Sequence, residues 1–388
     1  MMFAKRGGPM VDFHKGLQGV VADTTAISFV DGESGKLYYR GIEIAELATH
    51  SNFEESAFLL LRERLPDRKE LDSFNWLMRR MEKTSDKILR MIQEVPESQS
   101  PLSVLQMAMA GLACLENPYN ITASHDEFEN AVRIVAQTPI IIAAHYRHSQ
   151  GEPIILPRHD LSHVENFLYM IFGQVPSKLS VLCLEQALIL QMDHGFNPST
   201  FIARGVASTL NNIFACISAG AGALAGPLHG GASRSVLEMI KDIQSCDCAE
   251  KYVETVLASG QKIMGMGHRV YNCTDPRARI LKDLIMRLPA TESQEKEYSL
   301  LCEVESLSRN WFARQNKLVY TNMDFWTGAL YHRLNLPEQI YPGLFAIARV
   351  VGWCAHILEL KQNHSLYRPM AEYSGPLNVP YISMDERV

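Results

Sequence analysis

From Asn212 to Ala225 the chain runs for fourteen residues without a charge, and the run ends in Gly226-Pro227-Leu228-His229-Gly230-Gly231. A helix that is apolar nearly all round has no face to offer to water, so it belongs inside a body of other helices. The Gly/Pro turn lets the backbone reverse sharply and lets other groups approach closely. The stretch therefore delivers His229 to an interior cleft. Ser235-Val236-Leu237-Glu238 then reads as a capping box that opens the next amphipathic helix. Taken alone, the same residues also describe an ordinary helix–helix turn with an incidental histidine.

The rest of the chain supplies the surrounding helices. Strand signals are confined to the start, where Val20-Val21, Ala26 to Val30 and Leu37 to Tyr39 flank the turn Asp31 to Gly35, a hairpin pattern. After it the 3.6-residue period dominates. Ser51-Asn52-Phe53-Glu54 caps a helix that Pro66 ends, and Pro101 to Leu115 and Phe128 to Tyr146 follow, the latter interrupted at Pro139. Ser180 to Met192 is apolar nearly all round, and Phe201 to Ala225 reads as one long helix. Shorter helices over Val236 to Ile243 and Lys251 to Leu257, a charged one over Ser293 to Phe312 and an apolar one over Pro342 to Leu360 complete the set. Leu366 to Val388, with three prolines, is an irregular tail. The expected class is mainly α.

At 388 residues the length suits roughly two to three domains. With 37 Lys+Arg against 43 Asp+Glu, the net charge of −6 argues against nucleic acid or a membrane surface as partner. A local basic pocket for an anionic small molecule stays open. Eight scattered cysteines suit reduced thiols better than a disulfide framework. Met1 to Gly8 lacks an apolar leader core, and no uninterrupted apolar run of about 18 residues occurs. A cytoplasmic location is the expectation.

Four ionisable residues sit on turns between helices, where functional groups concentrate: His194, His229, His268 and Asp324. Three arginines accompany them. Arg277 follows Asp275-Pro276, Arg349 lies inside the apolar run Leu344 to Cys354, and Arg368 precedes Pro369. An arginine in an apolar helix needs an anion, either an internal carboxylate or a ligand. Each residue has a plainer reading. A loop histidine caps a local backbone group, Asp324 caps the helix that follows it, and Arg349 pairs with a core carboxylate. Zinc spacings, a Rossmann fingerprint, a P-loop and a GxSxG elbow are all missing from the sequence. What remains is a carboxylate base, histidine donors and carboxylate-holding arginines. That inventory suits proton abstraction beside a carbonyl and carbon–carbon bond formation on a polycarboxylate.

The ordered strings AGPLHGGAS, MGMGHRVYNCTDPRAR, YTNMDFWTG, ARVVGWCAHILE and RPMAEYSGP, with GLQGV and DGESGKLYYRG before them, resemble citrate synthases and their 2-methylcitrate synthase relatives. The resemblance runs from about residue 16 to Tyr373. It implies a mainly α, two-domain, multi-helical fold with a small N-terminal β-hairpin. Residues 1–230 plus 331–388 would form a large domain, and 231–330 a small one that closes over substrate. It further implies condensation of acetyl-CoA with oxaloacetate and water. Asp324 would be the base, His229 the donor to the thioester oxygen and His268 the donor to the oxaloacetate carbonyl. His194, Arg277, Arg349 and Arg368 would bind oxaloacetate, with Arg368 reaching the partner subunit's site in a homodimer. Lys262, Ile263, Met264, Gly265 and Met266 would line the CoA site through their backbone. Neither a metal nor a tightly bound cofactor is implied, and acyl-CoA enters as co-substrate.

Departures from the family pattern fall at Ser233 and Arg234, at Gly195-Phe196 and at Trp326, all near the expected substrate pockets. They bear on acyl-chain choice more than on reaction class. Propionyl-CoA as the acyl donor and a non-catalytic ligand-binding paralogue are the alternatives.

Overall fold

A computed structural model describes residues 13–115, 127–230, 232–243 and 245–387, without the side chains of residues 232–234. Gly231 and the side chains of Ser233 and Arg234 thus lie outside the described residues, as do Met1 to Gly8. Three short antiparallel strands open the fold: β1 (Ser28–Asp31), β2 (Lys36–Tyr39) and β3 (Ile42–Glu43), with Ser28 opposite Tyr39 and Tyr38 opposite Glu43. Sixteen helices among the described residues follow. The first eight are α1 (Ile44–His50), α2 (Phe53–Arg62), α3 (Arg68–Met81), α4 (Asp86–Gln93), α5 (Pro101–Leu115), α6 (Glu127–Ser149), α7 (His163–Phe172) and α8 (Lys178–Ile189). The second eight are α9 (Pro198–Ala207), α10 (Ile213–Leu224), α11 (Ala232–Ile243), α12 (Cys246–Ala258), α13 (Pro276–Arg287), α14 (Glu292–Ala313), α15 (Met323–Arg333) and α16 (Tyr341–Gln362).

Helix α16 is the axis of the core. Leu344, Ile347, Val350, Val351, Trp353 and Ile357 are fully buried on it, against α2, α5, α6, α8, α9 and α10. Each such side chain contributes about 1.5–3 kcal/mol of burial. By length and composition the stretch Glu338–Gln362 could cross a membrane, but its most apolar window is 83% buried inside the other helices. It is a core helix. Helix α10, the uncharged run, lies against α5 and α9. A second group forms where α11 packs on α12, α14 and α15, and α12 on α14, while α13 lies against α15 and touches α1.

Several boundaries differ from the sequence reading. The expected long helix from Phe201 to Ala225 is two helices, broken at Leu210, which takes φ +61°, and restarted by Asn212, whose side chain accepts the N–H of Ala215 at 2.9 Å. Helix α11 starts at Ala232, so Ser235 lies within it and opens nothing. Pro139 sits inside a continuous α6. Asn52, not Ser51, caps α2 by accepting the N–H of Glu55 at 2.8 Å. Val20-Val21 forms no strand.

Candidate active site

The site begins where α8 ends. The next residues, Leu190 to Asn197, turn around Asp193, which is fully buried. Its backbone N–H donates to the Tyr39 hydroxyl at 3.0 Å. Its Oδ2 accepts from Ser28 Oγ at 2.5 Å and from the N–H of Gly195 at 3.0 Å, with His356 Nε2 3.3 Å away. A Cβ on Gly352 of α16 would collide with this carboxylate, so glycine is what lets α16 come this close. Anchored this way, the turn projects His194 and then caps α9, Asn197 Oδ1 accepting the N–H of Thr200 at 3.1 Å.

His194 meets His268 and Tyr271. Ring centroids are 5.2 Å apart for His194–His268 and 4.7 Å for His268–Tyr271, and His194 Nε2 is 3.2 Å from the Tyr271 hydroxyl. The plain reading of His268 as a local cap is half right. Its Nδ1 accepts the N–H groups of Val270 at 3.0 Å and Tyr271 at 3.1 Å. A neutral imidazole with Nδ1 accepting carries its proton on Nε2, so capping fixes the tautomer that leaves Nε2–H as donor. Burial, reinforced by Arg277, lowers the pKa of His268 to about 4 and holds that of His194 well below its ordinary value. Both are neutral at pH 7.

His229 is half-buried at the end of the Gly/Pro turn, with Nε2 2.8 Å from Ser199 Oγ. Ser199 also accepts from Trp353 Nε1–H at 3.2 Å and lies 2.8 Å from Asn197 Oδ1. Burial, with Arg349 adding to it, lowers the pKa of His229 to about 4. Its ring therefore carries a single N–H. When Ser199 gives its proton to Nε2, that N–H is on Nδ1.

Asp324 is not the helix cap. Asn322 caps α15, its Oδ1 accepting the N–H of Asp324 at 3.0 Å, and no hydrogen bond engages the Asp324 carboxyl among the described residues. Burial raises its pKa to about 6 against the opposing pull of Arg277. The segment before His268 is tied to this helix start. Asn322 N–H donates to Gly265 O at 2.9 Å, Asn322 Nδ2 to Gly267 O at 2.9 Å, and Gly267 N–H to Tyr320 O at 2.7 Å. Gly265 has φ +74°, and a Cβ there would sit 2.7 Å from Phe325 Cβ. Of the run expected to line a CoA site, Lys262 and Met264 are exposed, Gly265 and Met266 half-buried, and Ile263 is buried in the core. Any contribution from Ile263 is through its backbone.

The arginines divide. Arg277 is buried and forms a two-point pair with Asp275, Nε to Oδ1 at 3.0 Å and Nη2 to Oδ2 at 2.8 Å. Asp275 also accepts the N–H of Met323 at 3.2 Å, which links α13 to the start of α15. Arg349 is buried too, yet its hydrogen bond among the described residues is Nε to Gln191 O at 3.0 Å. A buried guanidinium with its two Nη groups left over asks for a carboxylate. Arg368 stands apart: it is exposed on the tail and one chain does not bring it to the site. Of the departures, Phe196 packs edge-on to His356 with Arg204 4.6 Å over its ring, and Trp326 is buried against Tyr298 with Lys282 4.5 Å over it. Ser199, Tyr271, Asp193 and Asp275 are not among the candidates read from the sequence, although Asp193 adjoins His194, Ser199 follows it closely, and Tyr271 and Asp275 both precede Arg277.

The arrangement holds a carboxylate poised to take a proton, three neutral imidazoles and two buried guanidinium groups. It suits a dianionic substrate whose neighbour is to be deprotonated. Residues 16–370 match the family model described as citrate synthase, C-terminal domain. The chain is 38% identical over 382 residues to a citrate synthase of Synechocystis, covering 97% of this chain and 94% of that protein. It is also 35% identical over 368 residues to a 2-methylcitrate synthase of Mycobacterium tuberculosis, covering 94% and 91%. Among solved structures it resembles citrate synthase from Thermotoga maritima, with TM-score 0.86, 38% identity and 97% and 99% of the two chains covered. The ternary complex of carboxymethyl coenzyme A and oxaloacetate with citrate synthase from Thermoplasma acidophilum matches with TM-score 0.90, 30% identity and coverage of 97% and 100%.

Proposed function

The chain belongs to the citrate synthase family, and from that premise we propose that it condenses acetyl-CoA with oxaloacetate and water to give citrate and CoA. Asp324 removes a proton from the acyl α-carbon. A thioester α-proton is a far weaker acid than a carboxyl group, so a donor must stabilise the enol as it forms. His229, neutral and held by Ser199, supplies that N–H. The enol carbon attacks the oxaloacetate carbonyl, whose oxygen takes a proton from His268 Nε2–H. Hydrolysis of the resulting thioester by water releases CoA.

Arg277 and Arg349 hold the oxaloacetate carboxylates, with His194 beside them and Arg368 of the partner subunit completing the set in a homodimer. The backbone of Lys262 to Met266 lines the CoA side. Residues 231–330 act as a small domain closing on the large one, 1–230 plus 331–388. The turn at His229 would be one of its hinges, and closure would exclude water until condensation is complete.

One observation carries the reading most. The Asp324 carboxyl, with no hydrogen-bonding partner among the described residues and a pKa near 6, sits on the helix start that also fixes the His268 loop. The test is product identity: citrate recovered from acetyl-CoA and oxaloacetate supports it, and a different acid or none overturns it.

A second reading, propionyl-CoA as donor, is favoured by the Mycobacterium tuberculosis relative. Comparing kcat/KM for the two acyl donors separates them, since one methylene changes that ratio by about 10–200-fold.

A further inference from the structure

Away from this site, α2, α3, α7 and α8 and the turns beside them line a cavity of about 300 Å³ that opens to solvent. Glu54, Glu82 and Glu185 line it together with Asn75 and His163. Two of the carboxylates are partly committed. Glu54 Oε1 accepts the N–H of His163 at 3.0 Å, and Glu185 Oε1 that of Phe53 at 3.3 Å, so each completes the start of a helix. Three other polar atoms are not committed: Glu82 Oε2, Asn75 Oδ1 and His163 Nε2 are buried with no partner, and the histidine nitrogen accepts when the neutral ring carries its proton on Nδ1. Glu82 is 7% exposed and His163 5%. A 4.5 Å stack on Phe53 fixes the His163 ring, so its orphaned nitrogen is held in place.

Each buried, unpaired polar atom costs about 1–3 kcal/mol, and native folds leave few of them. Three in one cavity is a concentration that a ligand carrying N–H donors would relieve. The lining has one cationic side chain, Arg79, which is solvent-exposed. Burial, with Glu54 adding to it, pushes Glu82 and Glu185 up to about 7. Burial lowers the pKa of His163 to about 3, so its ring is neutral at pH 7. A bare metal ion fits poorly, because no three His, Cys, Asp or Glu side chains among the described residues converge as ligands. Met78, Leu161 and Val181 also form part of the wall, which a hydrocarbon stem would cover.

We propose that this cavity binds a short alkylammonium molecule, its ammonium group donating to Glu82, Asn75 and His163 and its methylenes lying on Met78, Leu161 and Val181. Binding favours the ionised carboxylates. Protons are therefore released on binding, and affinity rises with pH through about 7.

The test is calorimetric titration of the full chain with 1,4-diaminobutane as probe. Saturable binding with a Kd of about 1 mM or tighter is expected, strengthening roughly tenfold between pH 6 and pH 8, with heats that follow the buffer's protonation enthalpy. Glu82→Gln and Asn75→Leu should each weaken it about tenfold or more without changing turnover. Asn75 is half-buried, so that variant keeps the test available if Glu82→Gln fails to fold. Absence of saturation, equal binding of uncharged 1,4-butanediol, unchanged affinity in the variants, or saturation by a divalent metal with which the diamine does not compete would each overturn the proposal.

Discussion

Ser199 Oγ lies 2.8 Å from His229 Nε2 and 2.8 Å from Asn197 Oδ1, and its one proton can go to either, His229 Nε2 being the donor to Ser199 when it goes to Asn197. Trp353 Nε1–H occupies one of its lone pairs. Where the serine proton goes therefore decides which nitrogen of neutral His229 can donate to substrate. Ser199→Ala removes that control. It should lower kcat by about 10–100-fold with little change in KM, since the contact matters to the transition state more than to substrate binding. Steady-state kinetics with both substrates varied would show it. An equal rise in KM at constant kcat would assign Ser199 to binding instead.

The acid limb of kcat/KM should fall near pH 6. The proposed base, Asp324, would act only when ionised, and burial raises its pKa to about 6, while His229 and His268, near 4, are already neutral across that range. The same shift affects stability. A carboxyl whose folded pKa lies above its unfolded value keeps its proton longer in the folded state. Stability is then lost as pH rises from about 4 through about 6, and the loss persists above it. Asp324→Asn should recover about 1–2 kcal/mol at pH 8 and raise Tm, allowing for the partial exposure of the group. A thermal melt at pH 8 with no gain in Tm would contradict this.

Gly265→Ala should be damaging out of proportion to its size. The position has φ +74° and its added methyl would press on Phe325, the residue after Asp324. A loss of about 1–3 kcal/mol in stability is expected, with kcat/KM down by about tenfold or more because the His268 loop and the base would separate. Urea unfolding and kinetics together measure both. An unchanged kcat/KM would show that the loop's tie to α15 does not set the catalytic geometry.

If Arg368 of the partner subunit completes each site, two dead chains should rescue one another. Arg368→Ala and Asp324→Asn homodimers should both be inactive. Mixed equally, unfolded and refolded together, they should regain about a quarter of wild-type activity. Half the dimers would then be hybrids, each with one intact site. No recovery by the mixture would place Arg368 in its own chain's site or in none.

Much of this site was legible because its groups sit on turns with unusual local composition. His194, His229 and His268 each adjoin a glycine between apolar helices, and Asp324 comes two residues after Asn322, in the first turn of α15. What supports them was not legible, because the partners are distant in sequence. Trp353 reaches Ser199 across 154 residues, and Tyr39 reaches Asp193 across the same separation. The break between α9 and α10 was missed because Leu210 carries the positive φ, a conformation that a leucine gives no sign of adopting. Helix α11 starts three residues before its apparent cap because Gly/Pro residues end the preceding turn there. In the sequence, Ser162-His163-Val164-Glu165 is a capping-box pattern, and nothing in it marks His163 out. Only the packing of four helices showed that its Nε2 faces a cavity with no partner.

The most direct measurement is thiol release from acetyl-CoA, with and without oxaloacetate, by the wild-type chain and by Asp324→Asn. Oxaloacetate-dependent release at about 1–1,000 turnovers per second is expected for the wild type, falling by about 1,000-fold or more in the variant. No oxaloacetate-dependent release from acetyl-, propionyl- or butyryl-CoA by folded wild-type protein, or full activity in Asp324→Asn, would contradict the assignment of this site to citrate-synthase chemistry.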